Sequence, residues 1–352
     1  MTESSYDFDI MTVGSITTDI FVRPCQLPVF EKDGKEFFSV EVGEKIQLDD
    51  VFRSGGGSAG NTAVGFSKLG LNVYPVGVIG DDEEGNHICE KFEDLHVATD
   101  GLIIQEDSPS SISFILNACN GKRTVLHHRT VSEEFNGKIL HDAPSAKGIY
   151  VGHLYPAAES ILTAIEGWKA KHNSFFAWNP GKTQFSKQIS SYTQVMKYTD
   201  LLILNVEEAE QFTNLKAPHV DVKDVHEDII GTSVKYGAFL PVAYMHDVRD
   251  IAQVFLSLGV KQVVITDGKR GTQVFTKDYH YQLYAKNDIC ISTLGAGDAF
   301  SVGVVSAYLN YKKLSEQLQW GSVCATNVVK QFGAQHGYIT QRELEKELEG
   351  GN

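Results

Sequence analysis

One stretch constrains this chain more than any other: Ser292-Thr293-Leu294-Gly295-Ala296-Gly297-Asp298-Ala299-Phe300, with an apolar run continuing to Leu309. Glycines on both sides of Ala296 permit a tight turn with its N–H groups exposed. Beyond it, Phe300, Val304, Val305 and Tyr308 recur at helical spacing, which predicts a buried helix. A glycine-rich turn opening a helix is an anion site, because the first four N–H groups find no acceptor inside the helix. Asp298 falls in that first turn, where the helix dipole favours a carboxylate. A carboxylate beside such a cradle suits one task, accepting the proton of a hydroxyl that attacks a phosphoryl group. Read alone, Gly-Ala-Gly-Asp is equally a packing turn with an acidic cap.

The 352 residues fit one large α/β domain with a small appendage. A composition 42% hydrophobic and 22% charged is that of a globular chain. The net charge of −14 argues against nucleic acid and anionic membranes as partners, although local amides and cations on an acidic protein still bind ATP. Cysteines at 25, 89, 119, 290 and 324 are scattered, with no CxxC pair, so neither a disulfide framework nor a zinc site is expected. Met1 to Asp9 is polar and acidic, unlike a signal peptide, and no apolar run approaches the ~20 residues of a membrane span. A cytoplasmic protein is expected.

Ile10 to Gly14 reads as a first strand, with Asp19 just past its end. Ligand groups gather at such strand ends in open α/β sheets, yet Asp19 alone is also an ordinary turn former. Residues 21–54 break the rhythm with short β-prone runs at Phe37–Val42 and Lys45–Leu48, which read as a small sheet or a surface hairpin. Ser54 to Ala63 places four glycines within six residues and then opens a helix through Asn61, so the backbone there approaches something closely. Val73–Ile79 is a strand, and Gly80–Gly85 starts a helix with acids at its N-terminus. Ser111–Ala118 and Arg123–His128 form a hairpin about Asn120-Gly121. His127, His128 and Arg129 at its end could reach a ligand, though a solvated strand end is the plainer reading.

Gly148–Val151, Phe175–Trp178 and Leu201–Leu204 are buried strands separated by helical patterns near 157–172 and 184–198. That alternation predicts a mostly parallel central sheet with helices on both faces, a three-layer α/β sandwich. Asn205-Val206-Glu207-Glu208 has the spacing of a capping box. Residues 215–245 show no clean period. Val263–Gly271 is strand then loop, and Gln319–Phe332 is helical, leading to Gly333-Ala334. No internal repeat is present.

These segments resemble, in order, the motifs of the PfkB, or ribokinase-like, family of carbohydrate and nucleoside kinases. The stretch at 292–300 is similar to its D-T-x-G-A-G-D-x-F signature, which implies Asp298 as catalytic base and the amides of Gly295, Ala296 and Gly297 as anion hole. Gly56, Gly57, Asn61 and Ala63 match G-G-x-x-x-N-x-A, and Gly14 with Asp19 matches G-x-x-x-x-D, implying that Asp19, Gly56, Gly57 and Asn61 bind the acceptor. Asn205 and Glu208 match N-x-x-E, whose glutamate helps position magnesium through water. Thr266, Gly268 and Gly271 match T-x-G-x-x-G beside the nucleotide phosphates, where Lys269 or Arg270 could neutralise charge. The 319–332 helix would flank adenine through Ser322, Ala325 and Thr326. The resemblance runs from 14 to about 334 and implies one kinase domain over 1–352. Its β lid would come from about 21–54 and part of 111–129, often shared across a dimer. Ser292 and Leu294 depart from the signature, and without the leading aspartate a potassium site stays an open question.

The expected function is an ATP- and Mg2+-dependent phosphotransferase acting on a hydroxymethyl or alcohol group of a sugar, of the ribokinase, fructokinase or ketodeoxygluconate kinase type. One alternative is a nucleoside kinase whose base pocket comes from the aromatic-containing 21–54 excursion. Another is a non-catalytic sugar- or nucleotide-binding regulator, favoured by Ser292 and Leu294 and opposed by the retained Asp298.

Overall fold

Apolar residues alternate with period two along every central strand, and both sets are apolar, so both faces of the sheet need cover. The architecture comes from a computed structural model that describes residues 6–23, 29–117, 123–221, 244–285 and 289–350. Its strands, in chain order, begin with β1 (Phe8–Val13), β2 (Thr17–Arg23), β3 (Val29–Lys32), β4 (Lys35–Phe38), β5 (Asp50–Gly56) and β6 (Val73–Gly80). Next come β7 (Leu102–Gln105), β8 (Ile112–Asn117), β9 (Arg123–His128), β10 (Ala146–Val151), β11 (Phe175–Trp178) and β12 (Leu201–Asn205). The last are β13 (His219–Asp221), β14 (Tyr244–His246), β15 (Gln262–Thr266), β16 (Thr272–Thr276) and β17 (His280–Leu283). The helices are α1 (Ser58–Lys68), α2 (Glu83–Asp94), α3 (Ser160–His172), α4 (Lys182–Phe185), α5 (Thr193–Tyr198) and α6 (Val206–Thr213), then α7 (Arg249–Ser257), α8 (Ala296–Leu309), α9 (Leu314–Val328) and α10 (Gln341–Gly350).

A nine-stranded sheet runs β17-β16-β15-β12-β11-β10-β1-β6-β7. It is parallel from β15 to β7, with β16 and β17 antiparallel at one edge. Met11, Val13, Phe176 and Trp178 face one way and pack against α3, α5, α6 and α7. Ile10, Tyr150, Ala177 and Ile203 face the other way, against α1, α2, α8, α9 and α10. The three-layer sandwich expected from the alternation is therefore what forms. Nearly all of α8 is buried, from Ala299 to Ala307, between α1 and α9. Each fully enclosed valine there contributes about 1.5–3 kcal/mol over an exposed one.

The chain leaves β1 toward β6 and later returns on the other side at β10. Successive connections thus diverge at β1, and the crevice beyond its C-terminal end is where an open α/β sheet takes ligands. A second sheet, ordered β5-β2-β8-β9, stands over that edge. At α2, Asp82 accepts from the Gly85 N–H at 2.9 Å and from the Ser110 N–H at 2.8 Å, so the Gly80–Gly85 motif is architectural. Such a cap is worth about 1 kcal/mol.

Several local expectations need correcting. Lys45–Leu48 forms no strand, and β4 stops at Phe38, because the exposed residues from 39 to 48 find no partner strand among the described residues. Asp19 is not in a turn: it lies in Thr17–Arg23, a strand formed by pairing with β5 and β8. The helix expected near 184–198 is broken into α4, a 3-10 turn at Ile189–Tyr192 and α5. Hydroxyls of Ser186 and Thr193 bond carbonyls three residues back, an alternative to helical pairing. The helix placed at 319–332 is α9, which starts and ends earlier. The Asn120-Gly121 turn, Cys25, Cys119 and residues 222–243 lie outside the described residues. Among those described, no helix is long and apolar enough to cross a membrane.

Candidate active site

The turn into α8 is set by Gly295, whose φ of +79° and close approach to Ala334 exclude a side chain. The first helical bond runs from the Ala299 N–H to the Gly295 carbonyl at 2.9 Å. The N–H groups of Ala296, Gly297 and Asp298 therefore precede the helical ladder. Only open space lies where a Gly297 β-carbon would stand.

Asp298 sits in this first turn. Asn61, brought by α1, donates its side-chain amide to Asp298 Oδ2 at 2.7 Å. Gln335 Nε2 donates to Asn61 Oδ1 at 3.1 Å, and Lys91 Nζ donates to Gln335 Oε1 at 2.6 Å. Burial pushes the Asp298 carboxyl up to about 7; the Asn61 hydrogen bond opposes the shift, while negative charge on Asp19 and Glu208 adds to it. Although protein surrounds this carboxyl, Asp298 keeps an opening onto a cavity floor.

That cavity, about 260 Å³, lies between the two sheets. Asp19, Asn61 and Asp298 line it, and Ser113, Ile115, Val125 and His127 of the second sheet close it from above. Asp19 is only 6% exposed and accepts from the Thr17 hydroxyl at 3.1 Å. Burial raises its carboxyl above the ordinary value, and bonds from Ser113 and Thr17 hold the rise back. A β-carbon at Gly56 would overlap the Asp19 carboxylate, so the glycine lets β5 and β2 close around it.

Two further cavities open on the other side of the α8 N-terminus. One of about 530 Å³ runs between Thr266–Thr272, Phe300 and the α9 residues Ser322, Ala325 and Thr326. The other, about 400 Å³, is lined by Asn179, Asn205, Glu207, Glu208 and the Asp267–Arg270 loop. Gly297 belongs to both walls. Asn205 and Glu208 close a full capping box on α6, with bonds of 2.8 and 2.9 Å. Burial raises the Glu208 carboxyl as well. Three cavities and a carboxyl of raised pKa thus converge on one helix end.

A model of the pfkB family of carbohydrate kinases matches residues 35–341. The chain belongs to the pfkB family of carbohydrate kinases. It is similar to a ribokinase of Staphylococcus aureus, 25% identical over 313 residues that cover 85% of this chain and 91% of that protein. The nucleoside kinase of Methanocaldococcus jannaschii superposes with a TM-score of 0.73 at 20% identity, covering 99% of this chain and 100% of that one. Arabidopsis thaliana ribokinase, in complex with ribose and ATP, superposes at 0.73 and 19% identity, covering 97% and 98%. Fold and family together make this pfkB member a kinase of ribokinase-like architecture.

The residues singled out in the sequence fall into place around α8 with some distinctions. Asp19, Gly57, Asn61, Gly295 and Asp298 line the cavity between the sheets, whereas Gly56 lies behind Asp19. Thr266, Gly268, Gly271, Ser322, Ala325, Thr326, Ala296 and Gly297 share the largest of the three, while Asn205 and Glu208 line the neighbouring one. Arg270 is committed to Asp267 through bonds of 2.9 and 2.7 Å, and His246 Nδ1 approaches the same carboxylate at 2.8 Å. Among the described residues, that leaves Lys269, on both cavity walls, as the cation facing the space. His127, His128 and Arg129 border the cavity between the sheets; the two histidines are exposed, as a solvated strand end would be, and Arg129 is half-buried. Gln335 and Lys91 were not signalled locally, being 244 residues apart and joined only by the fold. Thr293, whose hydroxyl accepts from Arg123 Nη1 at 2.7 Å and so ties β9 to the α8 turn, was missed for the same reason.

Proposed function

We propose that this pfkB kinase transfers the terminal phosphoryl group of ATP to an alcohol, in the simplest case a hydroxymethyl group, of a carbohydrate. The observation that carries the reading is Asp298, a carboxyl with a pKa of about 7 on the wall of a sugar-sized cavity, one residue from Gly297 at the larger cavities. A base poised at neutral pH is what proton removal from an alcohol needs.

In this reading Asp19 and Asn61 orient the acceptor, with Gly57 allowing close approach and Gly56 seating Asp19. The acceptor hydroxyl gives its proton to Asp298 as its oxygen bonds the γ-phosphorus. The bond from that phosphorus to the β,γ-bridging oxygen breaks, and ADP leaves. The N–H groups of Gly295, Ala296 and Gly297 hold the charge spread over the phosphoryl oxygens. Thr266, Gly268, Gly271 and Asn205 line the phosphate track, and Ser322, Ala325 and Thr326 flank the base. Among the described residues no group of three or more His, Cys, Asp or Glu could cage a metal. Oxygen donors at Glu208 and Asn205 suit magnesium held through water, which when bound neutralises ATP phosphate charge. The Ser292 hydroxyl accepts from the Leu294 N–H at 3.3 Å and offers no carboxylate, so potassium dependence forms no part of the proposal.

The β5-β2-β8-β9 sheet serves as the lid of this one-domain kinase. Its outer face exposes Val51, Phe114 and Leu126, and the adjoining hairpin exposes Phe30 and Phe37, which supports lid-to-lid pairing in a homodimer. Free thiols at Cys89, Cys290 and Cys324 fit the reducing cytoplasm. A nucleoside acceptor is the second reading, in keeping with the likeness to a nucleoside kinase. Among the described residues no Phe, Tyr or Trp lines the acceptor cavity, so it offers a base few stacking partners. ADP formation with ribose, fructose, 2-keto-3-deoxygluconate, adenosine and inosine tests the reading. Turnover of a sugar supports it, turnover of nucleosides alone transfers it to the second reading, and no turnover sinks both.

A further inference from the structure

The acceptor cavity is electrically two-ended. Asp19 and Asp298 stand where the hydroxyls would be held. On the lid, Val125, His127, His128 and Arg129 line the same space. Arg53, Arg249 and Arg270 each meet a carboxylate. Arg129 meets none within 4 Å among the described residues and donates no hydrogen bond to them, although it is half-buried. Burial lowers its guanidinium from the ordinary value, the mark of a cation short of both water and a counter-charge. Its neighbour His153 is pushed down to about 4, first by burial and then by the positive charge of Arg129, so at neutral pH this histidine adds no charge of its own. A neutral sugar would leave that guanidinium without a counter-charge.

We propose that the natural acceptor is a sugar acid whose carboxylate binds Arg129, while its distal hydroxymethyl group reaches Asp298. The guanidinium fork takes both oxygens of a carboxylate at once. A phosphate ester would bring a second negative charge, and among the described residues Arg129 is the one arginine or lysine lining this cavity. The inference rests on the carbohydrate-kinase reading and adds the charge of the substrate to it.

The test compares kcat/KM, from ADP formation, for 2-keto-3-deoxygluconate, fructose, ribose and fructose 6-phosphate, with the parent and with Arg129→Gln and Arg129→Lys. A hydrogen bond to a charged group implies an advantage for the acid on the order of 10- to 100-fold over either neutral sugar. Arg129→Gln should bring that ratio toward one by raising KM for the acid, with KM for ATP unmoved, and Arg129→Lys should restore part of it. Preference for a neutral sugar or the phosphate ester in the parent overturns the inference while leaving the kinase reading intact. So does an equal loss on acid and neutral sugar in Arg129→Gln. If no acceptor is turned over, the kinase reading fails and this inference with it. Should Arg129→Gln not fold, as judged by thermal unfolding, the parent's acid-to-neutral ratio decides alone.

Discussion

Asn61 and Asp298, 237 residues apart in the chain, meet at 2.7 Å through a side-chain amide and a carboxylate oxygen. The bond is the last link of a series in which every donor points the same way, from Lys91 through Gln335 and Asn61 to Asp298. Such a series passes the influence of the lysine charge toward the carboxylate and favours its ionised form. Burial works against it, and the balance leaves Asp298 near 7.

Breaking the series at Gln335 should therefore move the titration. In Gln335→Leu the limb of kcat/KM that rises with pH bends at a higher pH than in the parent. Lys91→Met should shift it in the same direction by less. A pH profile with saturating ATP checks both, and an unmoved bend in Gln335→Leu would show that the series does not tune the base.

The raised carboxyl also has a stability signature. In the folded chain Asp298 ionises near 7 against an ordinary value of 3.8, so the fold disfavours the charged form. The associated penalty is absent below about 3.8, grows as pH rises and is complete above about 7. Asp298→Asn removes it. The variant should melt above the parent at pH 8, and this difference should shrink as pH falls to 4.5.

Glu208 has two duties that substitution can separate. Glutamine keeps the capping box with Asn205 but loses the charge. Glu208→Gln should leave thermal stability near that of the parent and raise the magnesium concentration needed for half-maximal rate. Glu208→Ala should also lose the cap, worth about 0.5–2 kcal/mol. Melting curves and magnesium titrations of the two variants distinguish these effects.

Gly56→Ala places a methyl group against the Asp19 carboxylate. Overpacking of this kind costs about 1–3 kcal/mol. Since the displaced group is the one that orients the acceptor, KM for the sugar should rise while KM for ATP stays put. Initial rates varied in each substrate show whether the effect is so confined.

Much of the fold was legible because its signals are local. The glycine turn and apolar run at 295–309 specify α8, and two-sided apolar strands specify a sheet covered on both faces. The lid was harder, since β2 owes its strand state to pairing with β5 and β8 across long stretches of chain. Lys45–Leu48 shows the converse, β-prone residues left irregular without a partner strand among the described residues. At the site, residues in glycine-rich motifs could be placed, because close backbone approach leaves a compositional trace. Gln335 and Lys91 could not, as a lone amide or lysine carries no such trace.

The central claim is that Asp298 removes the acceptor proton. The most direct measurement is turnover of Asp298→Asn beside its binding of ATP. The account predicts a loss of ~10²–10⁴-fold in kcat with ATP binding retained. Turnover equal to that of the parent, in a folded variant that binds ATP, would contradict it.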